Sequence, residues 1–132
     1  MRGFDTNVLV RYLVKDDPRQ AATVGRLIAE AAATEVPVFV STIVLCETVW
    51  VLDTGYEYPK AAIAGALEKL LLTQQLEFEA RDHVWRALRR FRDGKGDLAD
   101  YLIGVTNAAG GCDRTFTFDR ALEGEEGFEV LR

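Results

Sequence analysis

Residues 2–14 read RGFDTNVLVRYLV, and the polar triplet Asp5-Thr6-Asn7 interrupts a run that is otherwise largely apolar from Phe4 to Val14. Residues 2–5 have the character of a short strand that ends at Asp5. Val8, Leu9, Tyr12 and Leu13 then recur at the spacing of one helix face. Asp, Thr and Asn suit a helix start, because their short side chains accept hydrogen bonds from the free N–H groups of the first turn. Taken alone, the triplet is a turn with a helix cap. A strand passing directly into a helix also opens an α/β chain, so the remaining sequence decides whether Asp5 does more than cap.

The alternation continues outward. Pro18 suits the first turn of a helix after Asp16 and Asp17, running through AATVGRLIAEAAA. Pro37 precedes the strand-like VFV, and Ser41 or Thr42 caps a helix over IVLCETVWVLDT that stops near Gly55. Tyr58-Pro59 opens the helix KAAIAGALEKLLL, LEFE is a short strand, and residues 82–93 and 98–109 form further helices divided by the loop DGKGD. RTFTFD and GFEVLR close the chain as strands on either side of a charged turn. Strands separated mostly by helices predict a three-layer α/β/α fold around a central, mostly parallel sheet. No repeat, low-complexity tract or linker divides the sequence, which predicts a single domain over residues 1–132.

A chain of 132 residues, 48% of them hydrophobic, has enough apolar material for one sizeable core. No apolar run approaches the roughly 18 residues of a membrane span, and no signal-peptide pattern opens the sequence, so a soluble, cytoplasmic protein is expected. Cys46 and Cys112 lie far apart without metal-ligand spacing and read as reduced thiols. The net charge of −5 argues against indiscriminate coating of nucleic acid. Its distribution is uneven, however. Arg81, Arg86, Arg89, Arg90, Arg92 and Lys95 face only Asp82 and Asp93, while the segment from Asp119 onward is acidic. Arg86, Arg89, Arg90, Arg92 and Lys95 therefore form a candidate strip for a phosphate backbone, the alternative being a solvated helix face.

Functional groups of α/β sheets gather beyond the carboxyl ends of the strands, where Asp5 and Asp119 are both expected. If their strands are neighbours, both side chains point into one crevice. Glu47 is a lone carboxylate among Val44, Leu45, Val49, Trp50, Val51 and Leu52, and no Lys or Arg occurs between Glu35 and Lys60. Either Glu47 lies on the wet face of its helix, or its charge requires a cation or a hydrogen-bond network. Asp97 and Asp100 sit three apart at a helix start, a capping-box-like spacing, though capping alone explains Asp97 better than Asp100. A cluster of such acids stays ionised only by binding cations, and oxygen donors without His or Cys suit Mg²⁺ or Mn²⁺. His83 is remote from these motifs and reads as structural or solvated.

Three stretches together resemble the PIN-domain family, and within it the VapC-type toxin ribonucleases of toxin–antitoxin systems. They are DTNVLVRYLVKDDP at residues 5–18, the acid in STIVLCETVWVL, and GDLADYLIGVTNAAGGCDRTFTFD at residues 96–119. The resemblance implies a PIN-like α/β fold and a metal-dependent endoribonuclease that uses metal-activated water. It implies that Asp5, Glu47, Asp100 and Asp119 form the acidic site, with Asp97 an additional acid. Thr6 and Asn7 match the polar residues after the first acid, and Thr117 the hydroxyl residue two before the last. Tyr101 and Gly104 stand where many relatives carry alanine. A homodimer, an RNA substrate and a cognate antitoxin are likewise implied. Two other readings compete: a non-catalytic PIN-like binding module, and a phosphatase using Asp5. The phosphatase would want a second Asp at the position of Asn7.

Overall fold

The computed structural model describes residues 1–132. Strand β1, Arg2–Gly3, is cut short because Asp5 turns the backbone into helix α1, Thr6–Val14. Helix α2, Pro18–Thr34, starts with Pro18 in its first turn and Asp17 as its cap, accepting from Gln20 N at 3.1 Å. Strand β2, Val38–Val40, leads through the capping Ser41 into helix α3, Thr42–Thr54, and helix α4, Lys60–Leu71, follows Pro59. Strand β3, Leu76–Phe78, precedes helix α5, Arg81–Asp93, and helix α6, Leu98–Ala109. Strands β4, Thr115–Thr117, and β5, Phe128–Val130, close the chain. The charged segment between them contains a short 3₁₀ turn at Arg120–Leu122, which the sequence pattern did not suggest.

The chain forms two compact units, Met1–Arg81 and Asp82–Arg132. In the first, β1, β2 and β3 pair in that order, all parallel, with Arg2 opposite Val38 and Val38 opposite Leu76. Helix α1 packs against α2 and α3, and α4 against α3 and β3. Leu9, Val10, Val38, Val40, Leu45, Leu52, Leu67 and Leu76 are buried; of the α1 face read from the sequence, Leu9 is buried, whereas Val8, Tyr12 and Leu13 are partly exposed and Val10 turns inward instead. Arg81 donates to the carbonyls of Leu71 and Leu76 and lies 5.2 Å above the Phe78 ring, tying the end of α4 to β3.

In the second unit β4 and β5 pair in parallel, with Thr115 opposite Phe128 and Thr117 opposite Val130. The all-parallel, helix-rich architecture is the α/β fold expected. Its strands fall into two hydrogen-bonded sheets, and the conditional pairing of the strands preceding Asp5 and Asp119 is not among the ladders.

Tyr101 is buried in the second unit, where its hydroxyl donates to Glu125 Oε1 at 2.7 Å and accepts from Gly96 N at 3.0 Å. The ring occupies the space where a glycine is required at Gly94: a Cβ there would fall 1.8 Å from the Tyr101 hydroxyl. Burial pushes the Tyr101 phenol above its usual range. A folded-state value raised above the unfolded one stabilises fully below the unfolded pKa, about 10, and that contribution is lost as pH rises through the folded value. Tyr101→Phe should cost about 1–3 kcal/mol at neutral pH, because Gly96 N–H and Glu125 lose a buried partner. It should also flatten the alkaline fall in stability, which denaturant titrations at pH 8 and pH 11 would measure.

Candidate functional site

The strand-to-helix junction places Asp5 at the N-cap of α1, where Oδ1 accepts from Val8 N at 3.0 Å. The next residue, Thr6, donates its hydroxyl to Glu47 Oε1 at 2.9 Å, across the packed pair α1 and α3. Asp5, Thr6 and Glu47 therefore make one local constellation. Glu47 is exposed, so the wet-face geometry holds; it carries charge at low desolvation cost and still gains an oriented oxygen through Thr6. Asn7 is also exposed, beside this group.

The second unit sets its acids at element starts by the same device. Asp97 caps α6, and Asp100 Oδ2 accepts from Asp97 N at 2.9 Å, reaching back over the first turn. Asp100 thus completes the capping box that its spacing from Asp97 suggested. Asp119 caps the 3₁₀ turn: its Oδ1 accepts from Ala121 N at 2.9 Å, and its own N–H donates to Thr117 Oγ1 at 3.0 Å. Both hydroxyl residues singled out in the sequence, Thr6 and Thr117, position an acid directly.

No Lys or Arg makes an ion pair with Asp5, Glu47, Asp100 or Asp119. Each capping acid uses one oxygen in its cap. Neither unit by itself gathers three or more Asp, Glu, His or Cys side chains as a metal cage. The donor chemistry fits a hard divalent cation: oxygen-only, anionic and without a protein counter-charge.

Along the basic strip the arginines differ. Arg90 lies 5.1 Å over the Tyr101 ring and 5.8 Å over Phe128, donates to the Glu126 carbonyl at 2.6 Å, and sits 3.8 Å from Glu125 Oε2. It is a structural cation. Arg86 and Arg89 are exposed and line an open cleft of about 490 Å³ with Arg90 and Arg114. Arg92 and Lys95 are also exposed. Glu125, which no sequence motif marked, joins Tyr101, Lys95 N–H and Arg90. Only the loop fold brings it there. Burial pushes the Cys46 thiol up, which makes it a poor nucleophile at neutral pH.

An α/β chain with carboxylates at strand ends and helix starts is the class of protein that fold and residues define. More narrowly, the chain belongs to the PIN domain family, whose model matches residues 4–124. It is similar to a VapC ribonuclease of Aquifex aeolicus (strain VF5), with 23% identity over 131 residues, covering 99% of this chain and 96% of the relative.

The cap and the charge of Asp5 are separable. Asn caps a helix as well as Asp, whereas Ala forfeits about 1 kcal/mol. Urea unfolding should therefore place Asp5→Asn at or above the wild type and Asp5→Ala about 1 kcal/mol below Asp5→Asn. Equal stability of the two variants would exclude a structural cap.

Proposed function

We propose that this protein is a metal-dependent endoribonuclease, the toxin component of a toxin–antitoxin module. The observation carrying this reading is the Asp5–Thr6–Glu47 constellation: two carboxylates, one held by a cap and one by a hydroxyl, with no protein cation to neutralise either. Repulsion between such groups is tolerable when they serve a cation. The similarity to a VapC ribonuclease supports RNA as the polymer.

In this reading Asp5, Glu47, Asp100 and Asp119 hold Mg²⁺ or Mn²⁺, with Asp97 as a further acid. The bound ion supplies a water of lowered pKa and a counter-charge for the phosphodiester. The protein's own contribution is orientation. Thr6 fixes Glu47, Thr117 fixes the backbone of Asp119, and the caps fix one oxygen each on Asp5, Asp100 and Asp119. A carboxylate oxygen at Asp5 or Asp119 accepts the proton of the attacking water. Arg86, Arg89, Arg92 and Lys95 steer the RNA backbone, and Arg90 holds the surface beneath them. Residues 1–132 act as one domain, as a homodimer in the cytoplasm, restrained by a cognate antitoxin. No helix is long and apolar enough to cross a membrane.

Incubation with total cellular RNA, followed by mapping of new 5′ ends, tests the activity. Wild type with Mg²⁺ or Mn²⁺ should create discrete ends that EDTA abolishes. Asp5→Asn and Glu47→Gln should each lower the rate at least a hundredfold while remaining folded. Full cleavage by Asp5→Asn would remove Asp5 from the chemistry, and absence of new ends from the wild type would overturn the assignment.

A further inference from the structure

Helix α1 is hydrogen-bonded at its two ends to different parts of the first unit. At its start, Thr6 donates to Glu47 Oε1. Towards its end, Arg11 reaches the segment that follows α3: Nη1 donates to the Tyr56 hydroxyl at 3.2 Å and to Asp16 Oδ1 at 3.2 Å. The Tyr56 hydroxyl donates in turn to Asp16 Oδ2 at 2.8 Å, and Arg11 Nε donates to Gln20 Oε1 at 2.6 Å. A guanidinium, a phenol and a carboxylate thus close a ring that joins α1, the turn before α2 and the exit of α3. Tyr58 meets the Tyr56 ring edge-on, with 6.2 Å between centroids. Two of the chain's three non-glycine residues with positive φ flank this ring: Lys15, directly before Asp16, at 59°, and Glu57, directly after Tyr56, at 54°. That left-handed region favours glycine, and other residues hold it where surrounding contacts over-determine them.

We propose that Arg11 and Tyr56 are positioning residues for the acidic junction at the opposite end of α1, setting the register of Asp5 and Thr6 against Glu47. Apolar packing between α1 and α3 is non-directional, so it fixes how close the helices lie more firmly than how one is turned or slid on the other. Hydrogen bonds are directional and supply the register. A single bond at Thr6 is a pivot. Arg11 lies five residues further on, which is about 7.5 Å along the axis and about 140° around it. A second bond so placed opposes both tilting and rotation of the helix. Asp5 caps the turn that would move, through its bond to Val8 N. The chemical use of this register rests on the ribonuclease reading above; the mechanical link does not.

Tyr56→Phe removes the shared hydroxyl and keeps the ring. Tyr58→Phe, which removes a hydroxyl that makes none of these bonds, is the control. Amide hydrogen exchange of the metal-free protein is read by NMR, and RNA cleavage is timed alongside. Val8 N–H, held by Asp5 Oδ1, and Leu9 N–H, held by the Asp5 carbonyl, should exchange about tenfold faster in Tyr56→Phe, with the α4 amides of Ile63 and Leu67 unchanged. The kcat for RNA should fall about tenfold with KM unchanged, the signature of lost register rather than of a lost contact to RNA. Tyr58→Phe should match the wild type in both.

Faster exchange confined to Leu13, Val14 and Lys15 overturns the proposal and makes the ring a local tie of the turn before α2. Faster exchange throughout the unit, α4 included, also overturns it and makes Tyr56 a general stabiliser. Wild-type kcat in Tyr56→Phe, with Val8 accelerated, overturns the positioning role and keeps only the mechanical link. Absence of cleavage by the wild type removes the ribonuclease reading, and the exchange of Val8 and Leu9 then decides the link by itself.

Discussion

The hydrogen bond from Thr6 Oγ1 to Glu47 Oε1, 2.9 Å long and spanning 41 positions of sequence, sets the constraint on which the proposed chemistry of Asp5 and Glu47 depends. It fixes the first turn of α1 against α3, and Asp5 caps that same turn. The rigidity of this junction comes from the apolar framework beneath it. Leu9 and Val10 on α1, with Leu45, Val49 and Leu52 on α3, are buried and provide it. Functional placement and fold stability are thus divided between opposite faces of the same helices.

The acids of the second unit follow the same logic with different hardware. Asp97, Asp100 and Asp119 all stand at the N-terminal ends of helical turns. There the free N–H groups at the turn starts favour negative charge. Arg90, sandwiched with Tyr101 and Phe128 and held by Glu125 and Glu126, is a cation that this unit uses in its own packing, as Arg114 and Arg132 are used in pairs with Glu129 and Glu123. Such a division explains why a basic segment of sequence need not be a uniformly basic surface.

Much of the fold was legible because capping is local chemistry. Asp5, Asp17, Ser41 and Asp97 each announce a helix that begins at the next residue, and Pro18 and Pro59 mark starts as well. Asp5, Asp97, Asp100 and Asp119 stood out by their positions after strands and at helix starts, and Glu47 as a lone carboxylate in an apolar helix. What remained hidden depends on distant partners. The sandwich around Arg90 and the hydrogen bonds of Glu125 are made by the folded chain, and no spacing rule encodes them. The brevity of β1 was hidden for a different reason: Asp5 serves both strand end and cap, and the cap wins the backbone. Trp50 looked like one more apolar residue of a mostly apolar helix until its exposure was known.

In the proposed function, Asp5 and Glu47, which pair with no protein cation, serve to hold a divalent metal ion. Calorimetric titration with Mn²⁺, paired with thermal unfolding of the same samples, tests it most directly. The account predicts saturable binding by the wild type and a rise in melting temperature with Mn²⁺. It also predicts that Glu47→Gln binds Mn²⁺ far more weakly, yet is at least as stable as the wild type without metal, because one repelling charge is gone. Equal Mn²⁺ binding by wild type and Glu47→Gln, or no binding by either, would contradict it.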